Sequence, residues 1–253
     1  MTLVSFVIPL YNAQASVGQL TTRILALRGI GKKEIMYIND GSTDDTDRTV
    51  RALATKNKHI KYIQLTRNFG QHNAILVGLR YTRGNVVVCL DDDLQTPPEE
   101  SVLLLKAMSA KHADVVYGQY ETNEDPVRRI GTRLHNLMAQ VFGKPKDVTL
   151  TSFFCMTAAV ARRVSQYKGT LVYLPGLVFR ATNNITSVPV RHVPRKYGRS
   201  GYTFLGLMKL WFVGVLVYLR VADRLTNGKV TTIAGTINAH VTSTRRSPGP
   251  PRR

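Results

Sequence analysis

Hydrophobic residues along this chain follow two alternating rhythms. Short apolar runs at residues 3–8, 34–38, 60–65 and 86–90 each lead into polar, turn-forming residues: Pro9-Leu10-Tyr11-Asn12, Asn39-Asp40-Gly41-Ser42, Thr66-Arg67-Asn68 and Asp91-Asp92-Asp93-Leu94-Gln95. Between them, residues 17–27, 46–55 and 71–82 carry apolar side chains three or four apart, the spacing of a helix with one buried stripe. Strands alternating with helices predict an α/β domain, with a mostly parallel sheet covered by helices on both faces. Ligands of such sheets gather beyond the carboxyl ends of the strands. All four polar turns fall there, so the pattern predicts one shared site. Farther along, residues 112–118 read as a strand and 121–125 as a polar loop. Residues 128–142 read as a helix, with Ile130, Leu134, Leu137, Met138 and Val141 on one stripe and Arg129 and Arg133 on its flank, and residues 150–157 as a half-buried strand.

The acidic turn carries the most chemistry. On an extended chain side chains alternate, so Asp91, Asp93 and Gln95 are expected to share a face while Asp92 points away. Two carboxylates and an amide oxygen form a hard-ligand set suited to Mg²⁺ or Mn²⁺ rather than zinc, and such ions complete their shell with phosphates and water. A second reading is a polar turn ahead of a helix, since Thr96-Pro97-Pro98-Glu99-Glu100 sets proline in a first turn with glutamates after it. Asp40 likewise reads as a ligand-facing carboxylate or as part of an Asx-type turn with Gly41 left-handed. Arg67 and Asn68 read as site residues or as a helix entrance capped by Asn68. His72 reads as structural.

Taken in order, Val7-Ile8-Pro9-Leu10-Tyr11-Asn12, Asn39-Asp40-Gly41-Ser42-Thr43-Asp44, Arg67-Asn68-Phe69-Gly70 and Asp91-Asp92-Asp93-Leu94-Gln95 resemble the successive signatures of inverting family-2 glycosyltransferases with the GT-A, Rossmann-like fold. Arg195-Lys196-Tyr197-Gly198-Arg199-Ser200-Gly201-Tyr202-Thr203 is similar to the motif of the polyprenyl-phosphate branch, which includes dolichol-phosphate mannosyltransferases and bacterial undecaprenyl-phosphate sugar transferases. The resemblance spans residues 3–219. It implies that Pro9, Tyr11 and Asn12 shape a nucleotide pocket, with Asp40 on the base or ribose and Arg67, Asn68 and Asp92 also beside the donor. It further implies that Asp91, Asp93 and Gln95 hold Mg²⁺ or Mn²⁺ on the diphosphate, Asp93 counting among the catalytic groups. Arg129 or Arg133 would meet the acceptor phosphate, and Thr151 and Ser152 the reaction centre. Arg195 and Arg199 would supply positive charge at the reacting groups, on a mobile loop with Gly198, Ser200 and Gly201. Asn39 stands where many relatives have an aspartate, and Gly201 where dolichol-type relatives have lysine, which favours the bacterial subgroup and a UDP donor.

A lipid monophosphate is already anionic at neutral pH and attacks without a base, whereas an alcohol acceptor must lose a proton. Asp147 is the only acid between residues 145 and 200 and is therefore the base candidate. An alternative is thus a soluble family-2 enzyme acting on an alcohol such as a natural product or polysaccharide.

Composition adds a partner. Formal charge is +19, from 35 Lys+Arg against 16 Asp+Glu, so something anionic is expected nearby. Helix-turn-helix, zinc-finger and aromatic RNA-binding signatures are not evident, which argues against nucleic acid. Arg128, Arg129, Arg133, Arg162, Arg163, Arg191, Arg195, Lys196 and Arg199 suit an acceptor face against an anionic membrane surface. With 43% hydrophobic residues in 253, the chain can build one sizeable core. The expected organisation is a catalytic domain over residues 1–202, an apolar helix over 203–225, and a basic, disordered tail over 226–253. Residues 203–219 contain Lys209 and are short for a membrane span, so they read as an interfacial helix with Trp211 and Tyr218 at headgroup level, or as a packing or homodimer helix. Residues 221–253 are too polar for the two transmembrane helices with which bacterial relatives commonly continue. Two cysteines without metal-ligand spacing and no evident signal peptide suggest a cytoplasmic protein, peripheral at the inner face of the membrane.

Overall fold

The computed structural model describes residues 2–120, 148–169, 172–194 and 240–241. The order is β1 (Leu3–Leu10), α1 (Val17–Ala26), β2 (Lys32–Asn39), α2 (Thr46–Lys56), β3 (Ile60–Gln64), α3 (Gln71–Leu79), β4 (Val86–Cys89), a 3-10 turn (Pro98–Glu100) running into α4 (Ser101–Ala110), β5 (Val115–Tyr120), β6 (Phe154–Thr157), α5 (Ala158–Ser165), α6 (Leu174–Ala181), β7 (Ile185–Val190) and β8 (His240–Val241). The strands form one sheet in the order β7-β5-β6-β4-β1-β2-β3-β8. β4, β1, β2 and β3 are parallel, as are β5 and β7. β6 is inserted antiparallel between β4 and β5, and β8 runs antiparallel to β3.

Alternation along β1 explains the three layers. Val4, Phe6, Ile8 and Leu10 face a cluster with Val17, Leu20 and Ile24 of α1, Val50 of α2 and Leu104 and Met108 of α4. Val7 faces the other cluster, with Ala74 to Leu79 of α3, Val160 and Val164 of α5 and Leu174 to Val178 of α6. A parallel sheet buried on both faces needs apolar residues in both registers, which is why these strands read as continuous runs. α3 lies close on the sheet: a Cβ at Gly78 would come within 2.6 Å of Ile38 Cδ1 and 2.7 Å of Val7 Cγ1.

Two expectations change. Residues 240–241, inside the stretch expected to lack structure, pair with β3, whose outer edge offers unpaired backbone groups. The strand that carries the acidic turn stops at Cys89, and Leu94 adopts φ 60, so period-two alternation does not run through residues 91–95. The expected helix at 128–142 and the apolar stretch at 203–219 lie outside the described residues. Among the described residues no helix is long and apolar enough to cross a membrane. Cys89 and Cys155 are buried free thiols.

Candidate active site

From β1 the chain steps to β2 and β3 on one side, then returns to place β4 on the other side of β1. The crevice beyond the carboxyl ends of β1 and β4 is therefore the point where strand order reverses, the usual ligand position in an open α/β sheet. Across that crevice Tyr11 N donates to Asp92 Oδ2 at 3.2 Å. Pro9 can sit in β1 because β4 has ended at Cys89, opposite Val7, so no ladder bond is lost.

One wall of the crevice is stitched from two loops. Asn12, at φ 54, donates from its backbone to Ser42 Oγ (2.9 Å) and accepts from Thr43 N through Oδ1 (2.8 Å). Ala13 N donates to Thr46 Oγ1 at 2.8 Å, and Gln14 N to Asp44 Oδ2 at 3.2 Å. Buried Asn39 closes the β2–α2 turn, accepting from Ser42 N at 3.0 Å while its amide donates to Gln64 Oε1 (2.8 Å) and Tyr62 OH (3.1 Å). The local turn bond is thus made by Asn39 and not by Asp40. Asp40 reaches farther: its carboxylate accepts from Phe69 N at 2.7 Å and Gly70 N at 2.8 Å, tying the β2–α2 loop to the entrance of α3. Gly41 (φ 70) permits that approach, because a Cβ there would lie 2.5 Å from Arg67 C and Asn68 N.

The acids form the opposite wall. Asp91 is held at both ends, Oδ1 accepting from Gln71 Nε2 and Oδ2 from Ser152 Oγ, each at 2.5 Å. Asp93 Oδ1 accepts from Gln95 N at 3.0 Å, a turn closed by the side chain rather than a helix cap. Tyr120 lies among them: burial raises its phenol pKa, and the nearby charges of Asp91 and Asp93 push it further up, while hydrogen bonds from Thr96 and Ser152 act the other way. Asp91 and Asp93 thus both lie near Tyr120, and the left-handed turn at Leu94 redirects the chain between them and Gln95. Asp92 is pushed up to about 7, first by burial and then by its two acidic neighbours, against hydrogen bonds from the backbone of Tyr11 and from its own backbone. Crowded carboxylates of this kind favour a cation.

The donor set fits a hard divalent ion. Two carboxylates and an amide are too few for a closed cage, and among the described residues no group of three His, Cys, Asp or Glu is arranged to hold a metal unaided. Mg²⁺ and Mn²⁺ ordinarily take one or two protein carboxylates and complete the shell with substrate phosphate and water. Such a corner suits an ion that arrives with a diphosphate.

Residues 5–168 match the family described as Glycosyl transferase family 2. The chain belongs to that family. It is 33% identical over 218 residues to the undecaprenyl-phosphate 4-deoxy-4-formamido-L-arabinose transferase of Shewanella sediminis (strain HAW-EB3), covering 83% of this chain and 64% of that protein. The chain thus spans less than two thirds of that relative's length. Its GT-A fold is shared with glucosyl-3-phosphoglycerate synthase from Mycobacterium tuberculosis, solved with Mn²⁺ and UDP-glucose, at a TM-score of 0.64 and 18% identity over 88% of this chain and 79% of the other. The same synthase with Mn²⁺, UDP-glucose and phosphoglyceric acid aligns at a TM-score of 0.61, with 18% identity over 88% and 80% of the two chains.

Within this member of the family the residues singled out from sequence divide by position. Pro9, Tyr11, Asn12, Asp91, Asp92, Asp93, Gln95 and Ser152 line or adjoin the crevice; Tyr11 is 50% exposed there and offers a free aromatic face. Asp40, 3% exposed, is committed to backbone amides and acts as a loop anchor. Asn68 accepts from Gly70 N at 3.0 Å, and Arg67 lies over the Phe69 ring at 5.0 Å. Thr151 faces the backbone, its hydroxyl within 2.8 Å of Gly118 O and 2.9 Å of Phe153 O. His72 is structural as expected: its ring meets Tyr173 edge-on and burial pushes its pKa down to about 4. Arg129, Arg133, Asp147, Arg195, Arg199 and Ser200 lie outside the described residues. Sequence reasoning missed Gln71, Tyr120 and His192. Only Gln71 had a local signal, being the first residue of a helix that starts beside the site.

Proposed function

We propose that this protein is a metal-dependent inverting glycosyltransferase that moves a sugar from a nucleoside-diphosphate-sugar, with UDP as nucleotide, to a polyprenyl phosphate of the undecaprenyl type, working peripherally at the inner face of the membrane. The observation that carries this reading is the run of three acids, Asp91 to Asp93, at the carboxyl end of β4 beside the switch point, tied to the Tyr11 and Asn12 loop by the bond from Tyr11 N to Asp92. The printed names of the relative and of the fold neighbours supply the acceptor and donor classes in this reading.

Each residue has a role in this account. Tyr11 and Asn12 receive the nucleoside, on a loop kept in shape by Ser42 and Thr43. Gln71 and Ser152 hold Asp91 in one orientation. Asp91, Asp93 and Gln95 would hold Mg²⁺ or Mn²⁺, which when bound neutralises charge on the departing diphosphate. The lipid phosphate is its own nucleophile, so positioning and charge stabilisation replace base catalysis. Arg195 and Arg199 are assigned to that stabilisation, and Arg129 or Arg133 to the acceptor phosphate. Excess positive charge draws the anionic acceptor and the headgroups around it.

The test is direct. Purified protein is incubated with UDP-sugars, Mn²⁺ or Mg²⁺, and either undecaprenyl phosphate or the corresponding alcohol. Donor consumption that requires both metal and lipid phosphate is the expected outcome. Turnover indifferent to the lipid would overturn the acceptor assignment, and turnover surviving EDTA the metal assignment.

A further inference from the structure

His192 lies 97 residues from Gln95 in sequence yet meets it at the site. The Nε2 atoms of the two side chains are 3.3 Å apart. Val193 grips the same residue twice, its N donating to Gln95 O at 2.8 Å and its O lying 3.5 Å from Gln95 Nε2. The imidazole is itself fixed: it stacks on Tyr120 with centroids 4.1 Å apart at 30°, and its Nδ1 is 3.5 Å from Thr96 Oγ1, which donates to Tyr120 OH at 3.2 Å.

A glutamine amide has an oxygen end and a nitrogen end of nearly equal size, and only the oxygen can bind a hard cation. Its neighbours decide which way the amide is turned. A carbonyl such as Val193 O can only accept, so it selects the NH2 end. A neutral His192 with its proton on Nδ1, toward Thr96, presents a lone pair on Nε2 and selects the same end. With the NH2 end directed to these two acceptors, Gln95 Oε1 is turned away from them.

We infer that His192, braced by Tyr120 and Thr96, is a positioning residue that sorts the Gln95 amide so that its oxygen is presented as a metal ligand. The inference rests on the metal reading above. It deepens that reading by assigning a role to a residue that does not touch the ion. Groups that orient the ligands of a metal commonly control affinity by about 10–100-fold.

The experiment is a double-mutant cycle on the full chain, reading free Mn²⁺ by electron paramagnetic resonance at fixed UDP concentration. Asp93→Asn serves as the control for the metal site. Expected are weakening of Mn²⁺ binding by His192→Ala of about tenfold, recovery in His192→Gln, whose amide oxygen can replace the Nε2 acceptor, and no further loss when His192→Ala is added to Gln95→Ala. His192 is an exposed residue, so thermal unfolding of the variants should match wild type. Wild-type affinity in His192→Ala, or equal losses with and without Gln95, overturns the positioning role while leaving the metal reading intact. Wild-type protein that takes up no Mn²⁺, or Asp93→Asn binding as tightly as wild type, overturns both.

Discussion

Two acids at opposite ends of the sheet, Glu34 and Asp92, meet burial in opposite ways. Glu34, 5% exposed at the amino-terminal end, accepts from Ser5 Oγ (2.5 Å), Arg83 N (2.6 Å) and Lys61 Nζ (2.7 Å). Burial alone would raise its pKa, but these donors together hold it below the ordinary glutamate value. Burial pushes Asp92 at the carboxyl end up to about 7, its two acidic neighbours add to the rise, and only backbone donors, Tyr11 N among them, oppose it. The difference teaches what separates a structural acid from a functional one. The first has its countercharge within the fold, whereas the second sits where like charges have been gathered, an arrangement that favours a cation from outside.

Substitutions break the comparison most sharply at the functional end. Asp93→Asn should lower the transfer rate by on the order of 10²–10³-fold with unchanged thermal unfolding, since removing one charge-stabilising group from a catalytic site costs about that much. Steady-state assay of the variant beside Glu34→Gln checks it. Glu34→Gln should do the reverse, keeping activity while destabilising by about 1–3 kcal/mol, because the buried hydroxyl and the lysine lose a charged acceptor. Its cost is tied to pH. A depressed carboxylate contributes fully above its ordinary value of 4.5 and loses that contribution as pH falls through the lowered folded value. Denaturant melts of both proteins should therefore converge toward acid pH.

Smaller effects sharpen the same contrast. Gln71→Ala or Ser152→Ala frees one oxygen of Asp91 and should weaken Mn²⁺ by about tenfold, read by metal titration in the presence of UDP. Asp92→Asn should stabilise the metal-free protein. Raised from 3.8 to about 7, this carboxyl adds a penalty that is absent below about pH 4, grows as pH rises and is complete near pH 7. Melting in EDTA should thus show a gain of a few degrees at pH 8, vanishing at pH 4.

Much of this contrast was legible in the chain itself, for definite reasons. Strands β1 to β4 and helices α1 to α3 are local patterns of periodicity, and each was readable to within a few residues. The shared site followed from where the polar turns fell. Less accessible was anything set by contact between distant segments. β6 enters the sheet antiparallel between β4 and β5, an order no local pattern encodes, and it is this insertion that delivers Ser152 to Asp91. Leu94 at φ 60 is a leucine in a region that glycine and asparagine favour, so the sequence had no sign that alternation would fail there. Asp40 was legible as important, but not as an anchor. Its partners are backbone amides of residues 69 and 70, which carry no side-chain signature.

The central claim is that the acidic turn binds a divalent ion together with a nucleoside diphosphate. Thermal unfolding with UDP alone, Mn²⁺ alone and both together tests it most directly, with Asp93→Asn alongside. Ligand that binds only the folded state stabilises by about 2.7 kcal/mol at a hundredfold excess over its Kd. The account predicts a clear rise in Tm only when UDP and Mn²⁺ are both present, and its loss in Asp93→Asn. An equal rise with UDP in EDTA, or a full rise in the variant, would contradict it.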